Sequence, residues 1–402
     1  MKPTEKTKKN SSKVSSRLSL GERVPKLRFP GFEGEWEEKR IGDIYSERSE
    51  RPSEEMELLS VTITDGVIPR TDIEWKDNSS EDKSNYKIVR IGDMAYNTMR
   101  MWQGACGISS YEGIVSPAYT ILKDAALFNH DFMASLFKTE CLINNFRKNS
   151  QGLTSDTWNL KYPQIATIKL RLPSISEQNK IAYLLTLINA RIAAQRNLVE
   201  LLKKHKRGLL DRIFERSKQT ENGKYRLDQI AEINPSSESL PCEFFYIDLE
   251  SVSDGVWHDK KVVKKESAPS RAQRVIQKND ILFQMVRPYQ QNNLHITSSS
   301  DKPIVASTGY AQIRTSQNPS FIYWLLHSRT FLRKVLLRCT GSSYPAINSS
   351  DLKEIYVSIP PLEDQDQYAR ALNSISQKCN IEESFVCHLE NLKSGLLQQM
   401  FV

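Results

Sequence analysis

The chain has 402 residues, 56 Lys+Arg against 48 Asp+Glu, a formal charge of +8 and a hydrophobic content of 39%. That length allows two or three domains, each able to bury its own core. Apolar runs extend only a few residues, which excludes a transmembrane helix; the basic, polar beginning lacks the apolar stretch of a secretory leader, so a cytoplasmic protein is expected.

The charge is concentrated at the start. Residues 1–28 hold nine Lys/Arg and two Glu, a net of +7, and the other 374 residues carry +1. This opening reads as a basic, disordered tail. Any nucleic-acid contact by the body must come from local patches. Cys106, Cys141, Cys242, Cys339, Cys379 and Cys387 form no Cys-x-x-Cys pair. Reduced, mostly buried thiols are expected, and no structural zinc or other metal site.

The rest of the chain repeats itself at an offset of 187. Asp93 and Arg100 return as Asp280 and Arg287, Pro173 and Gln178 as Pro360 and Gln365, and Gly208 and Phe214 as Gly395 and Phe401. Each copy begins with about 140 residues of short alternating strands, turn residues and one or two helical stretches, which reads as α+β. These are residues 29–172 and 219–359. Each copy ends in a long helix, 173–218 and 360–402. Ser174 with Glu177 fits a capping box at the first, and Pro360-Pro361 sits at the start of the second.

Heptad positions support both helices. The first has Ile181, Ile188, Gln195, Leu202 and Leu209 at a, and Leu185, Ile192, Val199, Lys206 and Ile213 at d. The second has Tyr368, Ile375, Glu382, Leu389 and Leu396 at a, and Leu372, Cys379, Val386, Lys393 and Met400 at d. The polar breaks fall at matching places. The spacing predicts that the helices pair as an antiparallel coiled coil with pseudo-two-fold symmetry, Gln195 and Glu382 lying close to its axis. Gly208 and Gly395 suggest close approach of a partner backbone.

Catalytic signatures are missing. There is no Asn/Asp/Ser-Pro-Pro-aromatic run to grip a flipped adenine, no nucleotide-binding glycine loop and no ATP phosphate loop. Glu37-Glu38-Lys39 and Glu81-Asp82-Lys83 match a nuclease pattern only by chance. What remains is polar and aromatic decoration. Tyr96, Asn97, Arg100, Trp102 and Gln103 cluster after a strand in the first copy; Gln284, Arg287 and Tyr289 do so in the second. Arg, Asn and Gln are the side chains that read base edges bidentately. Lys264, Lys265, Arg271 and Arg274 form a basic stretch suited to phosphate contacts.

The stretches Pro25-Lys26-Leu27-Arg28-Phe29-Pro30-Gly31-Phe32, Tyr96-Asn97-Thr98-Met99-Arg100 and Leu172-Pro173-Ser174-Ile175-Ser176-Glu177-Gln178, with its echo at 359–365, resemble the specificity subunits of type I restriction–modification systems. The resemblance covers roughly residues 25 to 402; the second copy departs from it with Asp364 in place of Glu177. It implies a non-catalytic, DNA-binding chain whose two globular domains each read one half of a bipartite, asymmetric site on double-stranded DNA. It implies that the helices set the spacer and dock two modification subunits. The helix-seam and docking residues would include Glu177, Gln178, Ile181, Leu185, Ile188, Ile192, Leu202, Leu209, Gln365, Leu372, Leu389 and Leu396. The chain itself would carry no cofactor. S-adenosylmethionine would sit on the modification subunits, and ATP and Mg²⁺ on restriction subunits. The competing readings are a coiled-coil adaptor without a DNA role, and a nuclease or methyltransferase with an unrecognised site.

Overall fold

The structure, a computed structural model, describes residues 24–73, 79–216, 223–236 and 239–402. Most of the basic opening, through residue 23, lies outside the described residues. Residues 24–28 belong to the fold. The Leu27 N–H donates to the Gln399 carbonyl (2.9 Å), and Arg28 forms two 2.8 Å hydrogen bonds to Glu177. The fold is α+β with two long helices, Ile175–Arg216 and Leu362–Met400. None of the described helices is long and apolar enough to cross a membrane.

The chain divides into two compact units. Unit 1 combines residues 1–194 with 386–402, and unit 2 is residues 195–385. Each unit therefore contains one globular part and a half of each long helix.

Both units are built to one plan. In unit 1, strands Tyr45–Arg48, Tyr119–Asp124, Met94–Asn97 and Cys106–Ile108 form an antiparallel sheet in that order. In unit 2, Ala231–Ile233, Tyr310–Thr315, Ile281–Gln284 and Leu294–His295 repeat the order and the antiparallel sense. A short antiparallel pair ties the entry of each globular part to its exit: Glu37–Arg40 with Lys169–Leu172, and Lys224–Arg226 with Tyr356–Ser358. The second sheet differs. Unit 2 has four continuous strands, Lys261–Lys264, Glu243–Ile247, Ile304–Ser307 and Ala272–Ile276. Unit 1 has two separate pairs, Leu59–Thr62 with Gly66–Pro69 and Lys87–Val89 with Gly113–Val115, joined by one parallel bridge from Leu58 to Ile114.

The heptad positions face inward. In unit 1, Ile181, Leu185 and Met400 are buried in one core with Trp36, Phe132 and Phe401. In unit 2, Leu372 and Ile213 are buried with Phe214 and Phe321. Phe401 stacks on Phe132 at 5.2 Å between centroids, and its counterpart Phe214 meets Phe321 at 5.4 Å. Within unit 2, Gln195 donates to Glu382, Lys203 pairs with Glu383 at 2.7 Å and Lys206 donates to Ser376 at 3.3 Å. Between the Gln195–Glu382 and Lys206–Ser376 contacts the numbers rise on the first helix and fall on the second, so the two segments run antiparallel.

Two expectations need correction. A Cβ built on Gly208 or Gly395 would meet nothing within 4 Å, so neither marks a close approach within this chain. All six cysteines are free thiols, but only Cys106 and Cys379 are buried; Cys242 and Cys387 are exposed.

Candidate DNA interface

The repeated aspartate is structural. Asp93 is 4% exposed and accepts from the Arg90 backbone N–H (2.9 Å) and from Arg48 (2.7 and 3.1 Å). Asp280 is 1% exposed and accepts from the Gln277 N–H (2.7 Å) and from Arg314 (2.8 Å twice). The residue before each has a positive φ, Gly92 at 91° and Asn279 at 71°. Each carboxylate thus closes a tight turn and has its charge met by a guanidinium, which is how a buried carboxylate stays tolerable. The turn launches the strand that ends in the candidate contact loop.

That loop has a second loop beside it in both units. In unit 1 the Leu160 N–H donates to the Thr98 carbonyl at 2.9 Å; in unit 2 the Ile347 N–H donates to the Met285 carbonyl at 3.1 Å. Both donor and acceptor shift by 187, so the same backbone bond joins the loops twice. The second loops run from Gly152 to Trp158 and from Gly341 to Tyr344. No motif in the sequence singles them out. Their signal was weak: one glycine in each copy, at φ 142° and 89°, amid otherwise unlike residues.

The surfaces these loops present differ. In unit 1, Arg100 is exposed and Asn97 half-buried beside a cleft of about 1290 Å³ lined also by Arg70, Asn85, Ser116 and Tyr119. Burial pushes the Tyr119 phenol up from its ordinary pKa, opposed by a hydrogen bond to the Val61 backbone and by the charges of Arg70 and Arg100. Arg70 and Arg100 bring two guanidinium groups to this cleft, and Asp65, Asp72 and Asp82 line it as well. Trp102 and Gln103 are half-buried; Trp102 meets Trp158 edge-on at 5.3 Å and Arg147 lies 5.8 Å from its ring. In unit 2, the Arg287 guanidinium lies 4.2 Å from the Tyr344 ring centroid, and Tyr344 and Tyr289 are 65% and 49% exposed.

Two expected contact residues do not face solvent. Tyr96 is fully buried and belongs to the core of unit 1. Gln284 is 2% exposed, donates to Gln290 (2.9 Å) and accepts from the Asn292 N–H (3.0 Å). It braces the loop from inside. Both lie on short strands whose successive side chains alternate between faces, and composition alone did not say which face was inward. The basic stretch is also divided. Lys264 and Lys265 are exposed at one edge of the four-stranded sheet, while Arg271 is exposed near its other edge and Arg274 is half-buried on that edge strand. Burial lowers the pKa of Arg274. These four do not form one patch.

The residues at the helix starts are internal clamps. Gln178, 3% exposed, accepts from the Asn129 N–H (2.9 Å) and donates to the Pro173 carbonyl (3.0 Å). Gln365, 1% exposed, accepts from the Asn318 N–H (3.2 Å) and donates to the Pro360 carbonyl (2.9 Å). Asn129 and Asn318 are themselves N-caps of helices in the globular parts. The Pro–Gln spacing therefore locks each long helix to its own globular part. Only half of the expected capping box forms: the Glu177 N–H donates to Ser174 Oγ at 3.4 Å, but the carboxylate turns to Arg28. Glu177, Gln178 and Gln365 are thus too buried to dock another subunit. The seam positions Ile181, Leu185, Ile192 and Leu372 are buried, and Ile188, Leu202, Leu209, Leu389 and Leu396 half-buried.

The two units thus share one α+β scaffold, joined to two long helices, and differ in the loop surface they present. Comparison with known proteins finds similar chains. Residues 210–385 match the type I restriction modification DNA specificity domain. The type I restriction enzyme MjaX specificity subunit designated in Methanocaldococcus jannaschii is 20% identical over 369 residues, covering 84% of each chain. The MjaVIII specificity subunit of the same organism is 22% identical over 256 residues, covering 57% of this chain and 60% of that one. The crystal structure of the type I restriction–modification S subunit from M. genitalium shares the fold, with a TM-score of 0.60 at 15% identity over 94% of this chain and 99% of the other. A structure concerned with assembly of a type I system aligns with a TM-score of 0.57 at 16% identity over the same shares. The chain is thus similar over most of its length to type I specificity subunits, and its residues 210–385 match their DNA specificity domain.

Proposed function

We propose that this chain is the sequence-reading subunit of a type I restriction–modification complex, each unit reading one half of a bipartite, asymmetric site on double-stranded DNA. One observation carries the reading. The same sheet order and the same loop-to-loop hydrogen bond occur in both units, while the exposed side chains on those loops differ. A scaffold held constant under a varied surface suits two half-sites of different sequence. Arg100 and Asn97 in unit 1, and Arg287 and Tyr289 in unit 2, have the chemistry for base edges. Lys264, Lys265 and Arg271 suit phosphate contacts that position without specifying.

The chemistry belongs to partners. Two modification subunits, bearing S-adenosylmethionine, and restriction subunits, using ATP and Mg²⁺, would act where this chain places them, in the cytoplasm. The long helices offer surface for this: Tyr183, Leu187, Leu198 and Leu201 on the first, and Ile381, Phe385 and Leu392 on the second, are 38–68% exposed. Apolar side chains left in water along a helix suit a protein partner.

The test is adenine methylation mapped across the host genome with and without the gene. A bipartite, asymmetric motif that disappears on deletion supports the reading. An unchanged methylation pattern, with the modification subunit present and active, contradicts it.

A further inference from the structure

Resting on that reading, we infer that Arg287 and Tyr344 together form the specificity-determining element of unit 2, Tyr344 holding the Arg287 guanidinium in a fixed plane to read one guanine.

Arg287 is held in an unusual backbone state. Its φ and ψ are 53° and 53°, the left-handed region, and Pro288 follows it. A side chain with a Cβ is disfavoured there, and a following proline restricts the residue further. Gln291, four residues on, is left-handed as well. Such conformations persist where the surroundings over-determine them. Here the Arg287 N–H donates to the Pro345 carbonyl at 2.7 Å, and Val286 bridges to Ala346. The second loop thus fixes the backbone of Arg287 and presents the ring on which its side chain lies.

The side chain is half-spent. Its Nε is buried without a hydrogen-bond partner, and the guanidinium lies 4.2 Å from the Tyr344 centroid. No salt bridge to Arg287 is found among the described residues. A planar fork lying over an aromatic ring, with its terminal nitrogens uncommitted, matches the O6 and N7 acceptors of guanine. A phosphate contact needs charge but no fixed plane. Unit 1 solves the problem differently. Arg100, 187 residues earlier, has φ −125°, and the aromatic pair in its loops is Trp102 with Trp158. Arg100 and Arg287 correspond in sequence but not in presentation, as two different half-sites require.

Left-handed backbone supplies an unusually clean variant. Glycine adopts φ 53° without penalty, so Arg287→Gly removes the side chain while easing the fold. Methylation motifs are mapped in the host for the wild type, Arg287→Gly, Arg287→Lys, Tyr344→Ala and Tyr344→Phe. The expected result is loss of discrimination at the same single G·C position of one half-site, by about tenfold or more, in Arg287→Gly, Arg287→Lys and Tyr344→Ala. Tyr344→Phe keeps the ring and should keep the motif; the other half-site should stay unchanged throughout. Thermal melting of the purified variants checks that Arg287→Gly is at least as stable as wild type. If Arg287→Gly folds and methylation falls equally at all sites, or the motif is unchanged, the inference is overturned while the functional reading stands. If the wild type itself specifies no motif, the reading fails and the inference with it.

Discussion

Gln195 donates a hydrogen bond to Glu382, the residue that corresponds to it 187 positions later. Gln195 is 4% exposed, so its amide depends on that partner. A buried donor left without an acceptor costs about 1–3 kcal/mol, whereas replacing both partners by apolar groups can be nearly neutral. Glu382→Leu should therefore lower stability by about 1–3 kcal/mol, and Gln195→Leu with Glu382→Leu should recover most of the loss. Urea denaturation of the two single variants and the double variant checks this; additive losses would contradict it.

Glu177 and Asp364 correspond in the repeat but not in environment. Glu177 is 1% exposed and meets Arg28, itself 14% exposed, through two hydrogen bonds. Asp364 is exposed in the first turn of its helix. Removing one partner of a buried pair leaves the other charge uncompensated, at about 3–5 kcal/mol. Glu177→Ala should thus lower the melting temperature by several degrees, while Asp364→Ala should stay within about 0.5 kcal/mol of wild type. Equal effects would show that the Arg28 contact contributes little.

Gly208 and Gly395 lie inside long helices with open space around the position of a Cβ. Gly208→Ala and Gly395→Ala should each raise stability by about 1 kcal/mol, the helix-propensity difference. Differential scanning calorimetry measures it. A destabilised variant would mean that the backbone there departs from regular helix.

Unit 2 should be the acid-sensitive one through His295 and His327. Burial lowers the His295 pKa to about 4 and also lowers that of His327. A neutral imidazole in the fold and a normal one in the unfolded chain mean that the unfolded state binds more protons between about pH 6.5 and 4. The stability is fully present above pH 6.5 and is lost as pH falls toward 4, by up to about 3 kcal/mol for His295. His295→Asn should flatten that slope in denaturation curves run from pH 7 to 4.5; an unchanged slope would assign it elsewhere.

The architecture was legible because duplication wrote it twice. One glutamine after a proline means little; the same spacing at 178 and 365 marked both helix starts, and the heptads carried the seam. The role of that glutamine was not legible, since its partners Asn129 and Asn318 sit some 50 residues upstream. The same limit hid the membership of residues 386–402, whose Phe401 completes the core around Trp36 and Phe132. At the proposed contact surface, side-chain type singled out the loops of Arg100 and Arg287. It could not separate exposed Arg100 from buried Tyr96, nor show that the left-handed turn at Arg287 places it on Tyr344.

The most direct test of the central claim is an exchange of one globular part. Residues 29–172 are replaced by the corresponding part of a relative with a different target, and the methylation motif is mapped in the host. The account predicts that one half-site changes to that of the donor while the other half-site and the spacer length remain. A change in both halves, or in neither, would contradict the assignment of one half-site to each unit.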